Sequence, residues 1–278
     1  MVNQIMKTWL ITGCSSGIGR GIAAAALRSG DQVIATARKP KSIESFLVDY
    51  PDQTLVLGLD LTREDSMKAA VEMGLKHFGG IDVLVNNAGF GYRAAIEESE
   101  DAAVREMFET NVFGPGKLMN LVLPQMRARK SGMIINVSSI GAVRAPVGNG
   151  YYSASKAALE LISEAADKES AHLGIQVMIV EPGAFRTNFY DSLRGTEKKI
   201  DDYDPAVDKM RLENMVNHHD QPGDPEKAGK LIVKIVHEGS LPKRLPLGSD
   251  AVKIIHTELE RRLDELEIVK GFSVQTDY

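Results

Sequence analysis

The chain carries a single cysteine, Cys14, so it can close no internal disulfide, and a secreted fold of this kind would carry none or an even number. A reducing, cytoplasmic setting is the expectation. Basic residues are not in excess: 33 Lys and Arg stand against 38 Asp and Glu, a formal net charge of −5. No overall surplus is left to neutralise a phosphate backbone or to hold an anionic membrane, so neither nucleic acid nor a membrane is an expected partner. Apolar runs are short, none approaching the roughly 20 residues that span a bilayer. Met1 to Lys7 lacks the charged start, apolar run and small-residue cleavage site of a signal peptide. His218 and His219 are adjacent, which seldom lets both reach one ion, and no carboxylate or thiolate set completes a site, so no metal is expected.

What is present is ordinary globular composition: 278 residues, 43% hydrophobic and 26% charged. At about 150 residues per domain the length allows two domains, a prior that one large α/β domain overrides. Short apolar runs alternate with longer amphipathic segments along nearly the whole chain, the mark of βα units around a parallel sheet. Strands are predicted at Thr8–Thr12, Gln32–Ala37, Thr54–Leu59, Asp82–Asn86, Met133–Ser138, Gln176–Glu181 and Arg244–Leu247. Helices are predicted at Gly17–Ser29, Arg63–Phe78, Asp101–Arg129, Tyr151–Leu173 and Pro225–His237. The fold class is therefore α/β, one doubly wound domain over residues 1–278. Residues 184–222 interrupt the rhythm with a polar, charged stretch that includes Lys198, Lys199, Asp201, Asp202, Tyr203 and Asp204. It is either a substrate lid or a solvated excursion. From 249 to 278 a helical extension carries Ile254, Ile255, Leu259, Leu263, Leu266 and Ile268 in a mostly one-sided stripe, which predicts packing on the domain or on another subunit.

After the first strand comes Thr12-Gly13-Cys14-Ser15-Ser16-Gly17-Ile18-Gly19, then an alanine-rich helix. That order lets backbone N–H groups and the helix dipole hold a pyrophosphate, although the spacing departs from the commonest dinucleotide fingerprint and a mere tight turn is the alternative. Cys14 within it is read as a small packing residue rather than a redox thiol. The end of the second strand points to the nucleotide. An Asp or Glu there would bond the ribose hydroxyls, but the position is Ala37, and no acid lies between Gln32 and Ile43. Arg38, Lys39 and Lys41 offer cations instead, which favours NADP(H) with Arg38 on the 2′-phosphate; the alternative is that they coat a loop. Asp60, followed by Leu61, could accept from adenine or cap the next helix. Asn86-Asn87-Ala88-Gly89 ends the fourth strand, where open α/β sheets form their ligand crevice.

Tyr152 and Lys156 lie four residues apart at the start of a predicted helix and face the same way. An ammonium beside a phenol favours the phenolate, and moving a tyrosine by about three pKa units toward neutrality needs roughly 4 kcal/mol. Asn136-Val137-Ser138-Ser139 ends a strand just upstream, and a serine there could hold a carbonyl oxygen while Tyr152 acts as acid or base. The same run matches a glycosylation pattern, which its place in a buried strand argues against.

The glycine turn, Asn86 to Gly89, Ser139, Tyr152 and Lys156 stand in the order and spacing of the short-chain dehydrogenase/reductase family, which this chain resembles over about residues 6 to 250. The resemblance implies strand order 3-2-1-4-5-6-7 and hydride transfer between a nicotinamide and a carbonyl or alcohol carbon. It places the proton donor on Tyr152, the ribose-binding lysine on Lys156, the substrate-orienting serine on Ser139 and a relay asparagine on Asn111. The implied cofactor contacts are Gly13, Ser15, Ser16, Gly17, Ile18, Gly19, Arg38, Asp60, Leu61, Asn87, Ala88, Gly89, Tyr152, Lys156, Pro182, Gly183 and Thr187. Homo-dimers or homo-tetramers through the helices of Asn111 and Tyr152 are implied too. Gly13 to Gly17, Arg38 and the segment after Gly89 look similar to the branch of 17β-hydroxysteroid and retinol dehydrogenases. Phe90, Val143, Pro146, Phe185, Phe189, Tyr190 and Met215 are expected to make a largely apolar pocket for a lipophilic ketone or alcohol. The competing expectations are 3-oxoacyl-thioester reduction, also a family activity, and a non-catalytic NADPH-sensing regulator, which would be expected to lack the tyrosine or lysine.

Overall fold

The computed structural model describes residues 5–213 and 220–278. The chain runs β1 Thr8–Ile11, α1 Gly17–Arg28, β2 Gln32–Ala37, α2 Ser45–Asp49, β3 Thr54–Gly58, α3 Glu64–Phe78 and β4 Val83–Asn86. It continues through α4 Asp101–Phe108, α5 Gly114–Arg129, β5 Gly132–Val137, α6 Gly150–Ser170 and β6 Ile175–Pro182. After that come α7 Asp204–Glu213, α8 Pro225–Glu238, β7 Arg244–Leu247 and α9 Ser249–Ser273. The strands form one parallel sheet in the order β3-β2-β1-β4-β5-β6-β7. The expected single doubly wound α/β domain and its strand order are both observed.

Strand alternation sends consecutive side chains to opposite faces, so two cores form. Trp9, Ile11, Val33, Ala35, Val83, Val85, Met133 and Ile135 pack on one side with Ile22, Ala26, Ile232 and Val236 of α1 and α8. Leu10, Ile34, Leu84 and Ile134 face the other way, onto Met67 and Val71 of α3 and Leu118 and Val122 of α5. Helices α1 and α8 meet almost backbone to backbone: a Cβ on Gly229 would lie 2.2 Å from the Gly21 carbonyl oxygen.

Three expectations change. The helix predicted over Asp101–Arg129 is interrupted by a wide turn at Glu109–Phe113 with π-type bonding. Pro115 lacks an N–H, so it cannot donate to the carbonyl of Asn111 four residues back, and the widened turn absorbs the missing bond. Asp60 does not cap α3, whose N-cap is Arg63; its Oδ1 accepts from Thr62 N at 2.9 Å and Thr62 Oγ1 at 2.8 Å in a local turn. Of the two expected packings of the α9 stripe, the one on the domain is made only by its start, where Ile254 and Ile255 are half-buried. Ala251 is buried, but Leu259, Leu263, Leu266 and Ile268 are 49 to 74% exposed, because the helix leaves the body after its first turns.

Within residues 184–222, α7 forms where the sequence signal is only a few apolar residues long; its Val207 and Met210 pack with Ala95. The charged cluster there docks on the segment after β4. Lys198 Nζ donates to Glu97 O at 2.7 Å and Tyr203 Oη to Glu97 Oε2 at 2.8 Å, while Glu98 Oε1 accepts from Ile200 N at 2.9 Å. No helix among the described residues is long and apolar enough to cross a membrane.

Candidate active site

The carboxyl ends of the strands open into one cleft of about 1020 Å³, roughly the upper size of small-molecule sites. Its near wall is the β1–α1 turn. Gly13 and Gly17 adopt φ of +75° and +60°, which L side chains rarely take, and a Cβ on Gly13 would meet Ala88 at 3.0 Å. Thr12 braces this turn against β4. Its Oγ1 accepts from Asn87 N at 2.9 Å and Ala88 N at 3.0 Å, while Asn87 Nδ2 donates to Thr12 O at 2.9 Å. Helix α1 begins after Ser16 with no side-chain cap and no acid in its first turn. Unfilled N–H donors and a positive dipole end thus face the cleft, the arrangement that suits a pyrophosphate.

Gly13, Ser15, Ser16, Gly17, Ile18, Arg38, Asp60, Leu61, Asn87, Ala88, Gly89, Pro182, Gly183 and Thr187 all line the cleft. Gly19 does not. It is packed beneath Asn87, whose Nδ2 would lie 2.3 Å from an added Cβ. Arg38 is exposed at the rim, and its charge helps hold the Asp60 carboxyl below its ordinary range, after the larger effect of the Thr62 N–H. Cys14 is buried, donates Sγ–H to Ile11 O at 3.3 Å, and is pushed up to about 12 by desolvation, so the packing reading holds over the reactive thiol.

Ser139, Tyr152 and Lys156 meet in the middle of the same cleft. Ser139 stands two residues beyond β5 and caps the following short turn, its Oγ accepting from Gly141 N at 3.0 Å. Tyr152 lies in the first turn of α6, its ring 5.9 Å from that of Phe189. Burial pushes its phenol up to about 12, opposed by the Ser139 hydroxyl and the Arg93 charge. The expected cation beside the phenol is not engaged: Lys156 Nζ donates to Val137 O at 2.9 Å. Burial brings Lys156 down to about 8, opposed by the carboxylate of Glu160 one turn further on. Spacing along the helix put both groups on one face, but the carbonyl at the end of β5 captured the ammonium.

Asn111 lies behind this centre rather than among the lining residues. It is 1% exposed, and its amide is spent on Phe90 O at 3.0 Å, Phe90 N at 3.2 Å and Ser155 Oγ at 3.2 Å. Gly89 allows the crowding, since a Cβ there would stand 2.9 Å from Asn111 Oδ1 and 3.4 Å from Lys156 Nζ. Of the expected substrate residues, Phe90, Pro146, Phe185, Phe189 and Tyr190 line the cleft. Val143 does not; it is buried in the wall, and its carbonyl accepts from the Arg262 guanidinium. Met215 lies outside the described residues, as do His218 and His219. The sequence reading missed Arg93, Glu106, Arg144, Asn149, Arg194, Lys209 and Asp250, all of which line the cleft. Asp250 could have been suspected from its place after Gly248; it accepts from Ala184 N at 2.7 Å and shapes the turn after β6.

A model of the short chain dehydrogenase family matches residues 7–198. The chain is 36% identical over 279 residues to oxidoreductase calM of Penicillium decumbens, covering 96% of this chain and 91% of that one. It is 37% identical over 240 residues to a 3-ketodihydrosphingosine reductase of Bacteroides thetaiotaomicron, covering 86% and 87%. A short-chain dehydrogenase structure from Streptomyces avermitilis superposes with a TM-score of 0.91 at 40% identity, covering 99% of this chain and all of the other. The fold, the crevice and these relatives make the chain a member of the short-chain dehydrogenase/reductase family. It is accordingly an oxidoreductase of the class that works between carbonyl and alcohol groups.

Proposed function

We propose that the chain is an NADP(H)-dependent oxidoreductase that interconverts a lipophilic ketone or aldehyde with its alcohol, using Tyr152 as general acid and base. The observation that carries this reading is the convergence of Ser139, Tyr152 and Lys156 in the cleft that also holds the uncapped glycine turn. The nucleotide fits that turn: a side chain at Gly13 or Gly17 would be strained, and the first amides of α1 have no protein acceptor from a cap. Gly13, Ser15, Ser16, Gly17 and Ile18 would hold the pyrophosphate, with Gly19 keeping the turn close to Asn87. Asp60 and Leu61 would hold the adenine, Asn87, Ala88 and Gly89 the ribose side, and Pro182, Gly183 and Thr187 the carboxamide. When bound, the nicotinamide supplies hydride for reduction and takes it back in oxidation.

The chain's own residues then govern the proton. Ser139 Oγ donates to the carbonyl oxygen and holds it beside the Tyr152 hydroxyl. Tyr152, kept protonated by burial, is an acid ready for reduction. Lys156, released from Val137 O, stabilises the phenolate left behind and bonds the ribose hydroxyls; Asn111 holds the Phe90 backbone against α6 and so sets the floor of the site. Residues 184–222 act as the lid. Phe113, Leu161 and Ile162 are 58, 67 and 39% exposed on the helical surface around Asn111 and α6, which supports a homo-dimer or homo-tetramer. The single buried thiol suits the cytoplasm.

Cofactor choice is tested at the end of β2. Exchanging Ala37 for Asp and Arg38 for Gln should reduce the NADPH-over-NADH preference in kcat/KM by about ten- to a hundredfold, the worth of a charge-assisted hydrogen bond. An unchanged preference refutes the phosphate role of Arg38. The pH profile tests Lys156. Its ammonium is charged well below about 8 and lost above it, so kcat/KM for NADPH in carbonyl reduction, the parameter that reports the free enzyme, should decline on the alkaline side of that value. The Lys156→Met variant should lack that limb.

A further inference from the structure

Helix α6 carries buried polar residues along its length, and three of them are spent on the end of β5. Lys156, Glu160 and Ser163 share one helical face by their spacing. Ser163 Oγ accepts from Asn136 Nδ2 at 2.7 Å, Lys156 Nζ donates to Val137 O at 2.9 Å, and Glu160 Oε1 accepts from Ser138 Oγ at 2.6 Å. Consecutive residues are thus held by one helix, and the next in line is Ser139. Glu160 is fixed from its other side as well: Arg244 Nη1 of β7 donates to its Oε2 at 2.5 Å and to Glu181 Oε1 of β6 at 2.8 Å, while Arg244 Nη2 donates to Glu164 Oε1 of α6 at 2.5 Å. Both oxygens of Glu160 are used, and the residue is 5% exposed.

We propose that Glu160 is a positioning residue of the reaction: through Ser138 it ties the segment bearing Ser139 to the tyrosine helix, and its charge backs the Lys156 ammonium. This deepens the reductase reading and rests on it. Packing a helix on a sheet does not call for a buried carboxylate, since apolar replacements of buried ion pairs are often as stable. Here the charge has a use. Lys156 is buried, has to leave Val137 O to reach the phenolate and the ribose, and would give up its proton more readily in that dry setting without an opposite charge nearby. Its titratable neighbours on α6 are Tyr152 and Glu160; β5 offers the Val137 carbonyl, and Gly89 and Asn111 close another side. Of these, Glu160 carries the charge that acts on Lys156. Arg244, Glu181 and Glu164 face Glu160 in turn. No proton moves to or from Glu160; it holds in place the two groups that would touch substrate and cofactor.

Three variants separate charge from geometry. Glu160→Gln keeps the shape and an oxygen for Ser138 but loses the charge, Glu160→Asp keeps the charge one methylene further back, and Ser138→Ala removes a single hydroxyl and leaves every charge. In Glu160→Gln the alkaline limb of kcat/KM for NADPH should move to lower pH by about one pH unit, the low end of what a nearby opposite charge does. In Glu160→Asp and Ser138→Ala the limb should stay in place. Ser138→Ala should instead lower kcat by about tenfold or more with KM for NADPH unchanged, because Ser139 is displaced while the nucleotide contacts remain. A limb at the wild-type pH in Glu160→Gln overturns the proposal. So does a limb moved equally by Gln and Asp, which would trace the effect to packing, or a wild-type kcat in Ser138→Ala, which decides the case if Glu160→Gln does not fold. NMR of protein carrying ¹³C at the lysine ε-carbons, with the Lys156 signal assigned by its loss in Lys156→Met, follows the ammonium without turnover. If no ketone is reduced but this signal titrates at lower pH in Glu160→Gln and not in Glu160→Asp, Glu160 still backs Lys156 and the reductase reading falls. A signal that titrates alike in wild type and Glu160→Gln sinks the proposal whatever the turnover.

Discussion

Tyr152→Phe should lower kcat for carbonyl reduction by about 10²- to 10⁴-fold, the range general acid catalysis contributes. The substitution removes one oxygen and keeps the ring against Phe189, so unfolding midpoints should barely move. The loss should fall in kcat rather than in KM, because the proton is delivered only as the oxygen acquires charge. The resting site favours this direction. A phenol pushed up to about 12 is protonated at neutral pH, while alcohol oxidation needs the phenolate and should rise with pH. Comparing steady-state rates of the two directions across pH checks both statements; a variant that reduces ketones at the wild-type rate removes Tyr152 from the mechanism.

Arg244→Met should destabilise the fold by about 3 kcal/mol, the lower end of what removing one partner of a buried ion pair produces. Arg244 Nη1 bridges Glu160 Oε2 at 2.5 Å and Glu181 Oε1 at 2.8 Å, and its Nη2 reaches Glu164 Oε1 at 2.5 Å. The two carboxylates are 7% and 2% exposed, whereas the guanidinium is 37% exposed, which is why the lower end applies. Without it two like charges would face each other in a dry layer. Burial and Glu160 already raise Glu181 above its usual range, and the variant would raise it further. A carboxyl with a raised folded pKa favours the fold below its unfolded pKa and loses that contribution as pH rises through the folded one. The gap between wild type and variant should therefore narrow as pH falls. Urea denaturation across acidic and neutral pH measures it. The same cluster touches the site, since Ser138 Oγ donates to Glu160 Oε1 at 2.6 Å next to Ser139. The variant should lose activity beyond its loss of folded protein.

Strand positions and the glycine turn were legible because short apolar runs and backbone needs confined to a few residues mark them, whereas the sheet order was available only through the family resemblance. The π-type turn at Glu109–Phe113 was hidden for the opposite reason: Pro115 was visible, but the chain could have kinked or ended there equally well. Lys156 shows the limit most clearly. Helical spacing placed it beside Tyr152, yet its ammonium bonds a strand carbonyl 19 residues away.

The linear chain settled which chemistry is on offer: a phenol, an ammonium and a hydroxyl at the ends of specific elements, with an arginine and no acid at the end of β2. Folding settled who meets whom. Arg244 reaches Glu160 across 84 residues, Arg194 reaches Glu106 across 88, and α9 turns its leucines outward. Local periodicity reports on neighbours within about one turn or one strand pair, whereas partners so far apart are selected by packing of the whole sheet and its helices.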